Sequence, residues 1–166
     1  KEKGVAHSKV LSLGIPFDLK FNQVKPKEET IRNLGLKPNM ATILIMGGGQ
    51  GLGPIKTIVK DLENVKTELQ EIIVTGANKK LYKQLKKKII NYKKKILLFG
   101  YSDRINEFMS VADIIITKPG GITTAEALSK KLPMIIVRPI PGQEANNTAY
   151  LMEKHAAIKV DDPNQM

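Results

Sequence analysis

The chain has 166 residues, 42% of them apolar, no cysteine and a formal charge of +11. That length suits one compact domain with its own core, or one domain and a stub of another. The missing cysteines exclude disulfides and thiolate metal sites, and the longest apolar runs, "DIIIT" and "MIIV", fall far short of the roughly 20 residues that cross a bilayer.

In chain order, residues 1–38 read as an interdomain linker and the stub of a preceding domain. Two X-Pro turns, at Ile15-Pro16 and Lys25-Pro26, come ahead of a short helix from about Lys27 to Leu34. The chain opens "KEKGVAHSK", without an initiator methionine or a signal-peptide pattern, and stops at "VDDPNQM" straight after an expected strand. It reads as a piece of a longer protein.

Residues 39–166 alternate apolar strand-like runs with helical patterns. "ATILIMG" (41–47) predicts a buried strand and "PIKTIVKDLENVK" a helix, with Pro54 well placed in its first turn. "EIIVTG" (71–76) is a second strand, followed by a lysine-rich helix; "ILLFGY" (96–101) is a third, followed by the short helix "INEFMSVA". "DIIITK" (113–118) is a fourth strand before a helix from about Thr123 to Lys131. "MIIVRP" (134–139), the helix "QEANNTAYLMEKH" and a sixth strand, "AAIKV", complete the series. Continuously apolar strands joined by helices predict a doubly wound, parallel α/β sheet of about six strands.

Ligands of such sheets bind outside the carboxyl ends of the strands. Four loops of unusual composition fall there: "GGGQGLGP", "FGYSD", "KPGGITTAE" and "RPIPGQEANN". The first has five glycines in seven positions, which lets backbone N–H groups approach an oxyanion. It is not a dinucleotide fingerprint, because the third glycine of G-x-G-x-x-G would fall on Leu52 or Pro54. In the third loop, Gly120 and Gly121 allow a sharp turn into a helix start, where free N–H groups bind anions. Thr123 and Thr124 offer hydroxyls to a phosphate, and Glu126 a carboxylate to a ribose. Thr123-x-x-Glu126 is equally a capping box that needs no ligand. In the fourth loop Gln143, Glu144 and Asn147 suit sugar hydroxyls, but also an ordinary helix start.

Nine of the 27 basic residues lie between Lys79 and Lys95, with no acid among them. A solvated helix face, an anionic membrane and nucleic acid compete as readings. Nucleic acid is the weakest, since only Tyr82 and Tyr92 lie nearby to stack. His7 and His155 stand alone, so no metal site is expected.

The segments "GGGQGLG", "FGYSDRINEFMSVADIIITKPGGITTAEAL" and "PIPGQEANN" resemble the carboxyl-terminal half of family 28 glycosyltransferases. They are most similar to the branch of monogalactosyldiacylglycerol synthases and processive diacylglycerol glucosyltransferases, and "GIPFDLKF" resembles that branch's interdomain segment. The resemblance implies the Rossmann-like donor domain of a two-domain GT-B enzyme, truncated at its C-terminus. Such an enzyme inverts the sugar as it moves a hexose from UDP-glucose or UDP-galactose to diacylglycerol, at the inner, cytoplasmic face of an anionic membrane. By motif match, Gly48, Gly49 and Gly51 would lie near diphosphate and sugar, and the backbone of Phe99, Gly100 and Tyr101 would meet uracil. Gly120, Gly121, Thr123 and Thr124 would contact phosphate, Glu126 the ribose, and Gln143, Glu144 and Asn147 the sugar. The resemblance implies no metal or other cofactor, and puts the general base in an N-terminal domain absent from this chain. The rival readings are an N-acetylglucosaminyltransferase acting on a lipid-linked peptidoglycan precursor, and a non-catalytic nucleotide-binding module.

Overall fold

The computed structural model describes residues 4–11, 13–23 and 25–161; residues 1–3, 12, 24 and 162–166, with the side chain of His7, lie outside the description. Helix α1 (Lys27–Asn33) precedes an alternating series: β1 (Ala41–Met46), α2 (Ile55–Glu63), β2 (Leu69–Val74), α3 (Lys79–Lys88) and β3 (Lys95–Phe99). There follow α4 (Ile105–Val111), β4 (Ile114–Thr117), α5 (Gly121–Ser129), β5 (Met134–Val137), α6 (Gln143–Glu153) and β6 (Ala157–Val160). The strands form one sheet in the order β3-β2-β1-β4-β5-β6, every neighbouring pair parallel. This is the expected doubly wound α/β fold. Its order reverses between β1 and β4, so the switch point lies at the carboxyl ends of those two strands.

The strands look continuously apolar because both faces are covered. Side chains alternate along a strand, so Leu44, Met46, Ile72, Val74 and Ile115 join Phe108, Met109, Ala127 and Leu151 on the α4–α6 face. Ile45, Leu69, Ile73 and Ile116 join Ile55, Ile58, Val59, Leu62 and Leu85 on the α2–α3 face. Each fully buried Ile or Leu contributes about 1.5–3 kcal/mol relative to exposure.

Strand β2 begins two residues earlier than the apolar pattern suggested. Gln70 reads as a loop residue, yet it is fully buried. Its amide nitrogen donates to the Lys37 carbonyl at 2.9 Å and its oxygen accepts the Lys37 N–H at 2.8 Å. A satisfied amide can be buried at little cost. The lysine-rich helix ends at Lys88; a 3-10 turn, Ile89–Asn91, follows, and Lys95 already belongs to β3. Helix α5 begins at Gly121, two residues before the expected start at Thr123. Gly120, extended at φ −65° and ψ 141°, caps it without any side-chain hydrogen bond.

The segment ahead of β1 packs against the sheet domain. Phe21 is buried in the α4–α6 core and meets Phe17 edge-on at 6.3 Å. Lys25 pairs with Glu107 and Lys27 with Asp113, each at 2.9 Å.

Candidate functional site

The loop after β1 is folded onto the loop after β2. Gly51 has φ +60°, and a Cβ there would stand 1.9 Å from the Thr75 carbonyl oxygen. The Gly49 carbonyl accepts the Ala77 N–H at 2.8 Å, and Asn78 donates its side-chain amide to the Gly51 carbonyl at 3.2 Å. The need for glycine at Gly51 is thus met by packing within the protein. Gly48 and Gly49 differ: nothing lies within 4 Å of a Cβ added to either, so this part of the loop borders open space at the mouth of the sheet.

The loop after β4 is Lys118-Pro119-Gly120, and the first helical bond of α5 runs from the Thr124 N–H to the Gly120 carbonyl at 2.9 Å. The N–H groups of Gly121, Ile122 and Thr123 precede that bond and lack intrahelical partners. Since Gly120 is the cap, Thr123 lies inside the helix and the capping box is not formed. The Thr124 hydroxyl donates back to the Gly121 carbonyl at 2.9 Å. Glu126 is the sixth helical residue, beyond the first turn of α5. It is half-buried, burial raises its pKa, and Lys20 and Asp18 act on it with opposite sign.

The loop after β5 leads into α6, which is tied to the β4 loop. Asn147 donates its side-chain amide to the Pro119 carbonyl at 2.8 Å. Glu144 accepts the Ile140 N–H at 2.8 Å and pairs with Lys118 at 3.2 Å. Gln143 is exposed at the head of α6, and its amide nitrogen comes within 3.9 Å of a Cβ placed on Gly121. The starts of α5 and α6 are therefore neighbours at one end of the sheet.

Lys118 is the residue that the sequence reading passed over. Its side chain is only 12% exposed, although it carries a charge. Its stem lies 3.6 Å from a Cβ added to Gly53, so it reaches from the end of β4 to the glycine loop after β1. A cation closing the strand run "DIIITK" beside a glycine-rich loop was the available signal.

The "FGYSD" loop stands two strands away from β1, at the end of β3. The Phe99 carbonyl accepts the Thr75 N–H at 3.0 Å and the Thr75 hydroxyl at 3.1 Å, while its ring stacks on Phe108 with centroids 4.6 Å apart. Gly100 follows it, and Tyr101 is 79% exposed at the rim. Neighbouring strands lie about 4.8 Å apart, so the ends of β3 and β4 are separated by about 14 Å, a span that an extended nucleoside diphosphate can bridge. Among the described residues, no three His, Cys, Asp or Glu side chains are grouped to hold a metal ion.

The architecture and the sequence agree with known proteins. A processive diacylglycerol β-glucosyltransferase of Bacillus licheniformis is 36% identical over 161 residues, covering 96% of this chain and 42% of that protein. A probable chloroplastic monogalactosyldiacylglycerol synthase of Glycine max is 37% identical, covering 90% of this chain and 29% of that protein. The chain thus spans less than half the length of these relatives. Among solved structures, WaaG, a glycosyltransferase of lipopolysaccharide biosynthesis, superposes with a TM-score of 0.69 at 18% identity, over 92% of this chain and 43% of its own. Anabaena Alr3699/HepE, solved with UDP-glucose, gives 0.66 at 14% identity, over 92% of this chain and 43% of its own. Residues 42–165 match the model of the glycosyltransferase family 28 C-terminal domain, and the chain belongs to that family.

Proposed function

We propose that this chain is the donor-binding domain of an inverting glycosyltransferase that moves a hexose from a UDP-sugar to diacylglycerol. The observation that carries the proposal is the start of α5. Its N–H groups have no side-chain cap, it opens at the β1/β4 switch point, Lys118 precedes it, and the open Gly48–Gly49 backbone follows the neighbouring strand β1. A helix start with about half a positive charge, backed by an ammonium, suits a diphosphate. The acceptor follows from the relatives, whose names specify diacylglycerol, and the nucleotide from the UDP-glucose bound by the Anabaena neighbour. The peptidoglycan-precursor reading is not better supported, since these relatives are named for diacylglycerol.

In this reading the diphosphate lies across Gly48, Gly49, Gly120, Gly121 and Thr123, with the Lys118 ammonium at its side. Uracil meets the backbone at Phe99–Tyr101, and Glu126 takes the ribose. Gln143 faces the sugar, while Glu144 and Asn147 hold the β4 loop against α6. An acceptor hydroxyl attacks the anomeric carbon as the bond to the β-phosphate oxygen breaks, and UDP leaves with the electron pair. Helix-end N–H groups and Lys118 stabilise the charge that develops on that oxygen. The acceptor's proton goes to a base outside this chain, in an acceptor domain. The intact enzyme works peripherally at the cytoplasmic face of an anionic membrane. Among the described residues no helix is long and apolar enough to cross one.

Calorimetric titration with UDP, UDP-glucose and UDP-galactose, with NAD as control, tests this function. The expected outcome is UDP binding that weakens in Lys118→Ala. A folded chain that binds none of them overturns the reading.

A further inference from the structure

Helix α3 is built against its own electrostatics. Its first turn has no acid, and Lys79 and Lys80 sit at the positive end of the helix dipole. Lys79 and Lys83, and again Lys83 and Lys87, are like charges four residues apart, a spacing that destabilises a helix. Lys79, Lys80, Lys83, Lys86, Lys87, Lys88 and Lys93 are all exposed. Among the described residues none of them is ion-paired.

The basic surface continues onto the neighbouring helix. Lys60 of α2 lines one shallow recess together with Lys87, Lys88 and Asn91, and the Lys56 ammonium donates to Gln84 at 3.3 Å. Glu63 also lines this recess, but its carboxylate is engaged by the backbone and accepts the Lys93 N–H at 2.7 Å. At the tip, in the 3-10 turn after α3, Ile90 is 77% exposed amid these lysines. A lone apolar side chain ringed by unpaired ammonium groups matches the interface of an anionic bilayer, with charge at the headgroups and one aliphatic group below them.

We propose that the α2–α3 face, with Ile90 as its apolar anchor, is the surface by which this domain docks on an anionic lipid bilayer. The Lys86–Lys88 and Ile90 part of this face lies at the amino end of the sheet, since α3 runs back from the carboxyl end of β2, where Lys79 and Lys80 sit, to the start of β3. The mouth at the carboxyl ends stays uncovered, so docking and nucleotide binding are compatible. The choice of a bilayer over other polyanions rests on the lipid-acceptor reading above.

The test is co-sedimentation of the chain with vesicles of phosphatidylglycerol and phosphatidylcholine, against vesicles of phosphatidylcholine alone and duplex DNA at matched salt. Binding to the anionic vesicles alone is expected. It should fall about a hundredfold or more in K86E/K87E/K88E and about tenfold in Ile90→Ser. UDP titration of each variant reports that it is folded. Unchanged vesicle binding in the triple variant, equal binding to neutral vesicles, or equally tight binding to DNA overturns the proposal. A chain that binds UDP but ignores anionic vesicles refutes docking and leaves the donor reading standing; vesicle binding without UDP binding does the reverse.

Discussion

Lys118 and Glu144 face each other at 3.2 Å across the gap between the end of β4 and the first turn of α6. Both are largely shielded from solvent, at 12% and 23% exposure, and the Glu144 carboxylate also holds the Ile140 N–H. The pair fixes the approach of two helix starts and keeps an ammonium at the mouth of the sheet.

Lys118→Ala is expected to lower UDP affinity by about ten- to a hundredfold, the worth of one charge-assisted hydrogen bond. Calorimetry gives the affinity. Lys118→Arg keeps the charge with a different shape and should restore part of it.

Thr123→Ala separates a capping residue from a ligand contact. An N-cap threonine replaced by alanine costs about 0.5–2 kcal/mol. Because Gly120 is the cap and Thr123 is helical, the expected loss of stability is below about 0.5 kcal/mol, with weaker UDP binding. Urea melts and calorimetry on one preparation decide it.

Gly51→Ala and Gly48→Ala should differ in stability although both residues have positive φ. At Gly51 the added methyl collides with the Thr75 carbonyl, whereas at Gly48 it meets nothing within 4 Å. The backbone cost of about 1–2 kcal/mol is common to both. The collision adds about 1–3 kcal/mol to Gly51→Ala alone, measurable as the gap between the two denaturation midpoints.

Glu71 makes stability depend on pH. Both its carboxylate oxygens are buried without a hydrogen-bond partner. Burial first, then the charge of Glu63, raises its pKa from 4.5 to about 8, against a smaller pull from Lys94. The folded state therefore holds the proton more tightly than the unfolded one. This contribution is complete below pH 4.5 and is lost as pH rises to about 8. Glu71→Gln should flatten most of that slope and be more stable than the parent above pH 8; the raised pKa of Glu126 leaves a smaller slope of the same sign. Urea melts across this range measure it, and parallel curves for parent and variant would refute it.

The sheet, its parallel character and the four loops at its carboxyl ends were legible in the sequence, because strands buried on both faces must be apolar throughout and close backbone approaches leave glycine clusters. Those are local consequences of burial and sterics. What the sequence left open were relations between residues far apart in the chain. The start of α5 at Gly121 rather than Thr123 follows from the Gly120 backbone angles, and a Gly-Gly pair does not announce which glycine turns helical. Lys118 and Glu144 are 26 positions apart and meet only because β4 and α6 converge at the mouth. Glu71 reads as polar yet is sealed under α2 and α3, and Phe21 sits in a segment that reads as linker yet fills the opposite core. Composition and periodicity report what each residue can bury; only the tertiary arrangement decides what it is buried against.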